Sequence, residues 1–209
     1  MRPEIPRFVY FDLGNVLLKF ERETASEQVG QLAGVPAERV RDVLFTSGLQ
    51  DRYERGAVSS EAFYEAFCAA TAARPDYEAF HGAHSRMFAL NVPVIPIVVQ
   101  LRAACYDLGI LSNTCEAHWA HISDGRFGVI TTHFDVRVLS FQEGCMKPAP
   151  EIFRKAIERA CTDPAGIVLI DDRAENVAVA RQCGLRAILY ESPAQLATDL
   201  HQLGLDFNY

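Results

Sequence analysis

The chain has 209 residues, of which 49% are hydrophobic and 22% charged, with a formal net charge of −7. Those proportions belong to an ordinary globular chain and exclude a disordered or fibrous one. At ~150 residues per domain, the length allows one substantial domain with a smaller insert.

The acidic balance comes without a basic stripe, so no nucleic-acid partner is expected, and no apolar run reaches the ~20 residues of a spanning helix. The first ten residues have two arginines and two prolines but no apolar signal-peptide region. Six cysteines (Cys68, Cys105, Cys115, Cys145, Cys161 and Cys183) form no C-x-x-C pair and read as reduced thiols. A cytoplasmic monomer or small homo-oligomer, with no membrane partner, is the expectation.

The first element is Phe8-Val9-Tyr10-Phe11, a continuous apolar run ending at Asp12, as in a strand buried on both faces of a parallel sheet. Residues 19–91 break that pattern with Ala, Glu and Arg at helical spacing, predicting helices over 21–32, 37–45, 59–72 and 76–88 and no strand. Ser59 is placed to cap the third of these, with Glu61 favourable to its dipole. Asn91-Val92-Pro93 marks the return to the core.

From there, strands are predicted at 108–111, 136–139, 167–170 and 186–190, alternating with helices over 93–106, 116–123, 151–160, 175–183 and 192–203. Alternation of this kind predicts a doubly wound α/β sheet. Polar residues collect at the C-terminal ends of three strands, where open α/β sheets place their ligand crevice.

Four short pieces, far apart in sequence, fall at strand ends or in the loops beside them: Asp12-Leu13-Gly14-Asn15-Val16, Ser112-Asn113-Thr114, Lys147-Pro148, and Asp171-Asp172 with Asn176. A carboxylate attacking a phosphate dianion at ~3.5 Å meets a repulsion on the order of 9 kcal/mol at an effective dielectric of 20. A neutral hydrogen bond, worth roughly 1–3 kcal/mol, does not cancel that. The three aspartates, the lysine and a dianion together leave a large negative excess, which calls for a divalent cation such as Mg2+.

In order and in placement, the four pieces resemble the motifs of the haloacid dehalogenase superfamily, over nearly the whole chain. The resemblance implies a Rossmann-like α/β core, residues 1–18 and 94–209, with a small helical cap of the C1 type inserted at 19–93. It implies an Mg2+-dependent phosphatase acting on a small phosphorylated metabolite through an aspartyl-phosphate. Asp12 would be the nucleophile, and Asp12, the Gly14 carbonyl and Asp172 the metal ligands. Asp171 and Asn176 would orient the metal waters, Ser112 and Asn113 would hold phosphate oxygens, and Lys147 would offset charge on Asp12 and the phosphoryl group.

Phosphatases of the superfamily usually carry an acid two residues after the nucleophile, and Gly14 stands there. The motifs are most similar to those of phosphatases of the α-glucose-1-phosphate type, whose acidic anomeric leaving group needs a proton least. In the insert, Glu21, Asp51, Arg52, Glu54 and Arg55 are candidates to reach substrate or to replace the missing acid. Two rivals are a 2-haloacid dehalogenase, which needs no metal and for which Asp171-Asp172 would only add repulsion, and a weak or inactive module that binds a phospho-ligand or partner. His81 with His84, and His118 with His121, have metal-ligand spacing but no third ligand. Cys115 and Cys145 read as apolar filler beside the site.

Overall fold

The computed structural model describes residues 5–209, so part of the N-terminal stretch read above for a signal peptide, residues 1–4, lies outside the described residues. The chain runs through β1 (Phe8–Phe11) and β2 (Leu18–Phe20) into helices α1 (Arg22–Ala33), α2 (Ala37–Arg41, prolonged by a π turn at Asp42–Thr46), α3 (Leu49–Glu54), α4 (Ser60–Thr71) and α5 (Tyr77–Ser85). After β3 (Phe88–Leu90) come α6 (Ile95–Ala103), β4 (Asp107–Ser112), α7 (Glu116–Ser123), α8 (Gly128–Thr132), β5 (Val136–Leu139), α9 (Ser140–Glu143) and α10 (Pro150–Ala160). The chain then closes with β6 (Ile167–Asp171), α11 (Ala174–Gln182), β7 (Arg186–Leu189) and α12 (Pro193–Gln202).

Five of the strands form one parallel sheet in the order β5-β4-β1-β6-β7. Strand β1 is central because both its faces are apolar: Val9 and Phe11 join a cluster with Leu108, Ile110, Val168 and Ile170 beneath α6 and α12. Its other face, Phe8 and Tyr10, meets Leu111, Leu169 and the inward residues Ile152, Phe153 and Ala156 of α10. Burying each such large side chain contributes about 1.5–3 kcal/mol, so the sheet and its two helical layers account for much of the fold's stability.

The order of strands decides where a ligand can bind. From β1 the chain builds outward through β4 and β5, then returns to the opposite side of β1 for β6 and β7. The crossover directions diverge at β1, which opens a crevice beyond the carboxyl ends of β1, β4 and β6.

The helices between β2 and β3 bury a cluster of their own, with Val29, Leu44, Tyr53, Phe63, Phe67 and Phe80 at its centre. Ser59 caps α4 as expected, its hydroxyl accepting from Ala62 N–H at 3.1 Å. Several features depart from the sequence reading. Residues 18–20 and 88–90 pair as an antiparallel ribbon, Leu18 opposite Leu90 and Phe20 opposite Phe88, where no strand was expected; three residues are too few to display a period. For the same reason α5 stops at Ser85 rather than running to 88, and the six-residue α3 escaped notice. No described helix is long and apolar enough to cross a membrane.

Packing on β4 is tight enough to dictate its composition. A Cβ at Gly109 would lie 2.4 Å from Tyr10 Cε1 and 2.8 Å from Phe8 Cε1, and the Tyr10 hydroxyl is tied to Ala156 O at 2.8 Å, so the ring cannot swing aside freely. Gly109→Ala should therefore destabilise the protein by about 1–3 kcal/mol through overpacking. Urea denaturation checks this; an unchanged midpoint would show that the Tyr10 ring yields without cost.

Candidate active site

Strand β1 delivers Asp12 to the crevice, β4 ends on Ser112, and β6 ends on Asp171 with Asp172 following. Asp12 is pinned in line with the sheet, its N–H donating to Ile170 O at 2.9 Å. The Leu13 N–H donates to Asp12 Oδ1 at 2.7 Å.

Lys147 reaches the same point from the loop before α10. Its Nζ lies 3.0 Å from Asp12 Oδ1 and 2.6 Å from Asp171 Oδ2, and donates to Leu111 O at 2.8 Å. An ammonium has three donors, so all are engaged. Its backbone is held by Asn113, whose Oδ1 accepts from Lys147 N–H and whose Nδ2 donates to Lys147 O, both at 2.8 Å. That exchange occupies the Asn113 side chain. The Ser112 hydroxyl makes a 3.4 Å contact with Asn113 O, and its hydrogen bonding to the Asp12 carboxyl works to lower that carboxyl's pKa.

Asp171 is fully buried and does not line the cleft. Besides Lys147 it accepts from Asn176 Nδ2 at 2.9 Å and from Arg173 N–H at 3.0 Å, so it orients neighbours and has little left for a ligand. Asp172 is half-buried at the cleft wall and accepts from Asn15 Nδ2 at 2.9 Å. Asn15 achieves this with φ = 56°, a left-handed conformation that Asn tolerates better than most residues. Gly14 also lines the cleft. A Cβ there would sit 2.9 Å from Phe20 Cε1, so the Phe20 ring occupies the space a side chain at position 14 would need.

Carboxylate oxygens of Asp12, Asp171 and Asp172 all lie within 4.8 Å of one another. One ammonium against three carboxylates leaves a net charge of −2, which suits a divalent cation held by Asp12 and Asp172. Asn176 supports that fit: it lines the cleft, and its buried Oδ1 has no hydrogen-bond partner, leaving an acceptor for the hydration shell of a cation.

The electrostatics match the crowding. Burial pushes the Asp12 carboxyl up to about 6, with Lys147 opposing the rise and Asp171 adding to it. Burial works to lower Lys147, but the carboxylates of Asp12 and Asp171 outweigh it and hold the ammonium above the ordinary lysine value.

The cleft, about 150 Å³, is roofed by residues of β2, β3 and the helices that the two strands enclose. Of the insert candidates, Asp51 and Glu54 line it, whereas Glu21, Arg52 and Arg55 do not. Sequence reasoning missed Arg22, Phe45 and Gln50, which do. Arg22 lies over the Phe45 ring at 5.3 Å. A polar Gln50 within a short helix carries no pattern that would have singled it out.

His81, His84 and His118 belong to a ring-packed cluster, with His84 and His118 stacked at 4.4 Å and burial pulling His118 down to about 3; among the described residues no histidine joins a group of three possible metal ligands. Cys115 and Cys145 do not line the cleft.

Two outcomes test this electrostatic arrangement. A carboxyl at about 6 in the fold and near the ordinary aspartate value of 3.8 when unfolded binds more protons folded than unfolded between those values. Its contribution to stability is therefore lost as pH rises from about 4 to about 6. In EDTA, Asp12→Asn should be more stable than wild type by about 1–3 kcal/mol at pH 7 and lose that advantage near pH 4; an advantage independent of pH, read from thermal melts, would contradict it. Lys147→Met, which strands two buried carboxylates, should cost about 3–5 kcal/mol and be partly restored by adding Asp171→Asn. Full additivity of the two substitutions would mean that the pair is not coupled.

Residues 7–184 match the model of the haloacid dehalogenase-like hydrolases. The chain is 24% identical over 201 residues to the D-ribitol-5-phosphate phosphatase of Bacteroides thetaiotaomicron, covering 92% of this chain and 95% of that one. It is 28% identical over 165 residues to acyl-CoA dehydrogenase family member 10 of Mus musculus, covering 75% of this chain but only 15% of that much longer protein. Among solved structures, a HAD family enzyme from Bacteroides thetaiotaomicron in complex with magnesium and inorganic phosphate superposes with a TM-score of 0.79 at 22% identity, over 90% of this chain and 95% of that one. The carboxylate cluster on a switch-point sheet and the match over most of its length agree, and the chain belongs to the haloacid dehalogenase-like hydrolases.

Proposed function

We propose that the protein is an Mg2+-dependent phosphatase of the cytoplasm, hydrolysing a small phosphorylated sugar or polyol through a phosphorylated Asp12. The observation that carries this reading is the convergence of Asp12, Asp172 and Lys147 on one cleft, with the unpartnered Asn176 Oδ1 beside them. A relative of nearly equal length acts on ribitol 5-phosphate, and a structural neighbour binds magnesium with phosphate. The cleft, at 150 Å³, is well below the ~300–1,000 Å³ of drug-sized pockets.

In this reading Asp12 attacks phosphorus, the ester oxygen departs, and water then hydrolyses the acyl phosphate. Asp12, the Gly14 carbonyl and Asp172 hold Mg2+, which when bound supplies positive charge against the repulsion between the nucleophile and a dianion. Ser112 and the Asn113 amide bind phosphate oxygens. Lys147 lends its field to Asp12 and the phosphoryl group, held in place by Asp171, while Asp171 and Asn176 steady the ligand set. Residues 19–93 form the cap that closes over the substrate and excludes water.

The acid pair at 171 and 172 and the free acceptor on Asn176 have no use in a metal-free haloacid dehalogenase, and a partner-binding module needs none of this geometry. A sugar 1-phosphate is what Gly14 alone favours, and a polyol 5-phosphate is what the relative hydrolyses.

Purified protein should release phosphate from such esters with Mg2+ and stop in EDTA, and Asp12→Asn should fall at least on the order of 10⁴-fold in turnover. Turnover that survives EDTA, or halide release without metal, would reject the reading. Comparing hexose 1-phosphates with hexose 6-phosphates and ribitol 5-phosphate settles the ester: equal or slower release from the 1-phosphates would rule out an anomeric substrate.

A further inference from the structure

Expelling an ordinary alcohol from phosphorus needs a proton delivered to the departing oxygen, since an alkoxide is too basic to leave unaided. The groups around the cleft limit the source. Asp12 is the nucleophile, Asp172 belongs to the cation site, and Lys147 has every donor engaged. His118 is held neutral by burial, and position 14 carries no side chain. Arg22 and Arg173 do not release protons at working pH. Asp51 and Glu54 remain, and Asp51 is exposed, whereas Glu54 is half-buried at the end of α3.

Glu54 is also the better anchored. Its backbone carbonyl accepts from Ser140 Oγ at 2.5 Å, and the same hydroxyl accepts from Thr114 N–H at 2.9 Å. The end of α3 is thus tied, through one side chain, to the loop carrying Ser112 and Asn113. Two residues on, a Cβ at Gly56 would fall 2.3 Å from Phe141 O, so only glycine, at φ = 71°, permits this close seating of insert on core.

The carboxylate is oriented from its other side. Glu54 Oε1 accepts from Gln50 Nε2 at 2.9 Å, while Gln50 Oε1 is 3.0 Å from His84 Nε2 in the cluster behind it. With Gln50 Oε1 as acceptor, His84 donates through Nε2, which turns the Gln50 amide group toward Glu54. The surroundings keep a proton available: burial pushes Glu54 up to about 7, the Gln50 bond and Arg22 work against this, and Asp51 and Asp12 add to it. Cys115, fully buried, lies close enough to feel the Glu54 charge.

We propose that Glu54 is the catalytic acid and base of the reaction, entering the site from α3 in place of a side chain at position 14. As Asp12 Oδ bonds to phosphorus and the P–O bond to the alcohol breaks, the bonding pair passes to the alcohol oxygen, which takes the proton of Glu54 and leaves as ROH. The Glu54 carboxylate then takes a proton from water as its oxygen attacks phosphorus. The bond from Asp12 to phosphorus breaks, releasing inorganic phosphate and restoring both carboxyls. This assignment rests on the phosphatase reading above and extends its substrates to phosphates of primary alcohols, which an acid-free site would turn over poorly.

The test is the leaving-group dependence of Glu54→Gln, whose amide oxygen can still accept from Gln50. With Mg2+, kcat/KM for an alkyl ester such as ribitol 5-phosphate should fall about 10²–10⁴-fold, and that for 4-nitrophenyl phosphate, whose phenolate leaves unprotonated, less than about 5-fold. In wild type kcat/KM for alkyl esters should fall above pH about 7, where Glu54 loses its proton, and this fall should be absent from Glu54→Gln. Retained aryl turnover reports a folded variant, and Glu54→Asp should recover part of the alkyl activity. Equal losses on both esters in a variant that melts like wild type, or no loss on either, would overturn the role of Glu54 and leave the phosphatase reading standing. A wild type inactive on every ester would overturn both.

Discussion

The site depends on a single buried ammonium. Lys147 is 2% exposed and sits between Asp12 and Asp171, with its third proton on the Leu111 carbonyl. Two carboxylates taken out of water this close to each other would not both stay ionised without it. The ammonium allows β1 and β6 to end on acids side by side, and the two carboxylates together outweigh its own desolvation. Asp12, Lys147 and Asp171 thus form one electrostatic unit.

The backbone is arranged to serve that unit. Asn113 grips Lys147 at both N–H and C=O, which joins the end of β4 to the lysine loop, and Asn176 with the Arg173 N–H fixes Asp171. Each carboxylate is oriented before any substrate arrives, the condition for stabilising charge in a transition state without reorganisation. The arrangement is costly in stability, because Asp12 remains at about 6 even with Lys147 beside it. Active sites commonly carry such a cost, and here the apolar sheet beneath supplies the reserve.

The helices between β2 and β3 have an independent apolar cluster, yet they meet the core at chemically pointed places. Phe20 fills the space over Gly14, Ser140 joins the end of α3 to the Thr114 loop, and Asn91 Nδ2 donates to Val16 O at 2.7 Å where the chain returns. Residues that enclose the cleft are therefore registered against the loops that floor it. A Cβ at position 14 would meet the Phe20 ring at 2.9 Å.

Much of this was legible in the sequence. Continuous apolar runs at 8–11 and 167–170 marked strands buried on both faces, and the acids that end them could only gather at one sheet edge. Asp12, Ser112 and Asp171-Asp172 were visible for that reason, since strand ends are set by short-range hydrophobic pattern, whereas the loop residue Lys147 was marked only by the resemblance of Lys147-Pro148 to a family motif. What the sequence concealed was set by distant contacts. The ribbon of 18–20 with 88–90 needs a partner some seventy residues away, and Gln50 and Arg22 became cleft residues only when the helices folded over. Choosing Glu54 over Glu21, Arg52 and Arg55 likewise depends on which side of a short helix faces the crevice. A chain of letters carries periodicity and charge order, whereas burial, and with it the protonation of a carboxyl, exists only once the segments have packed.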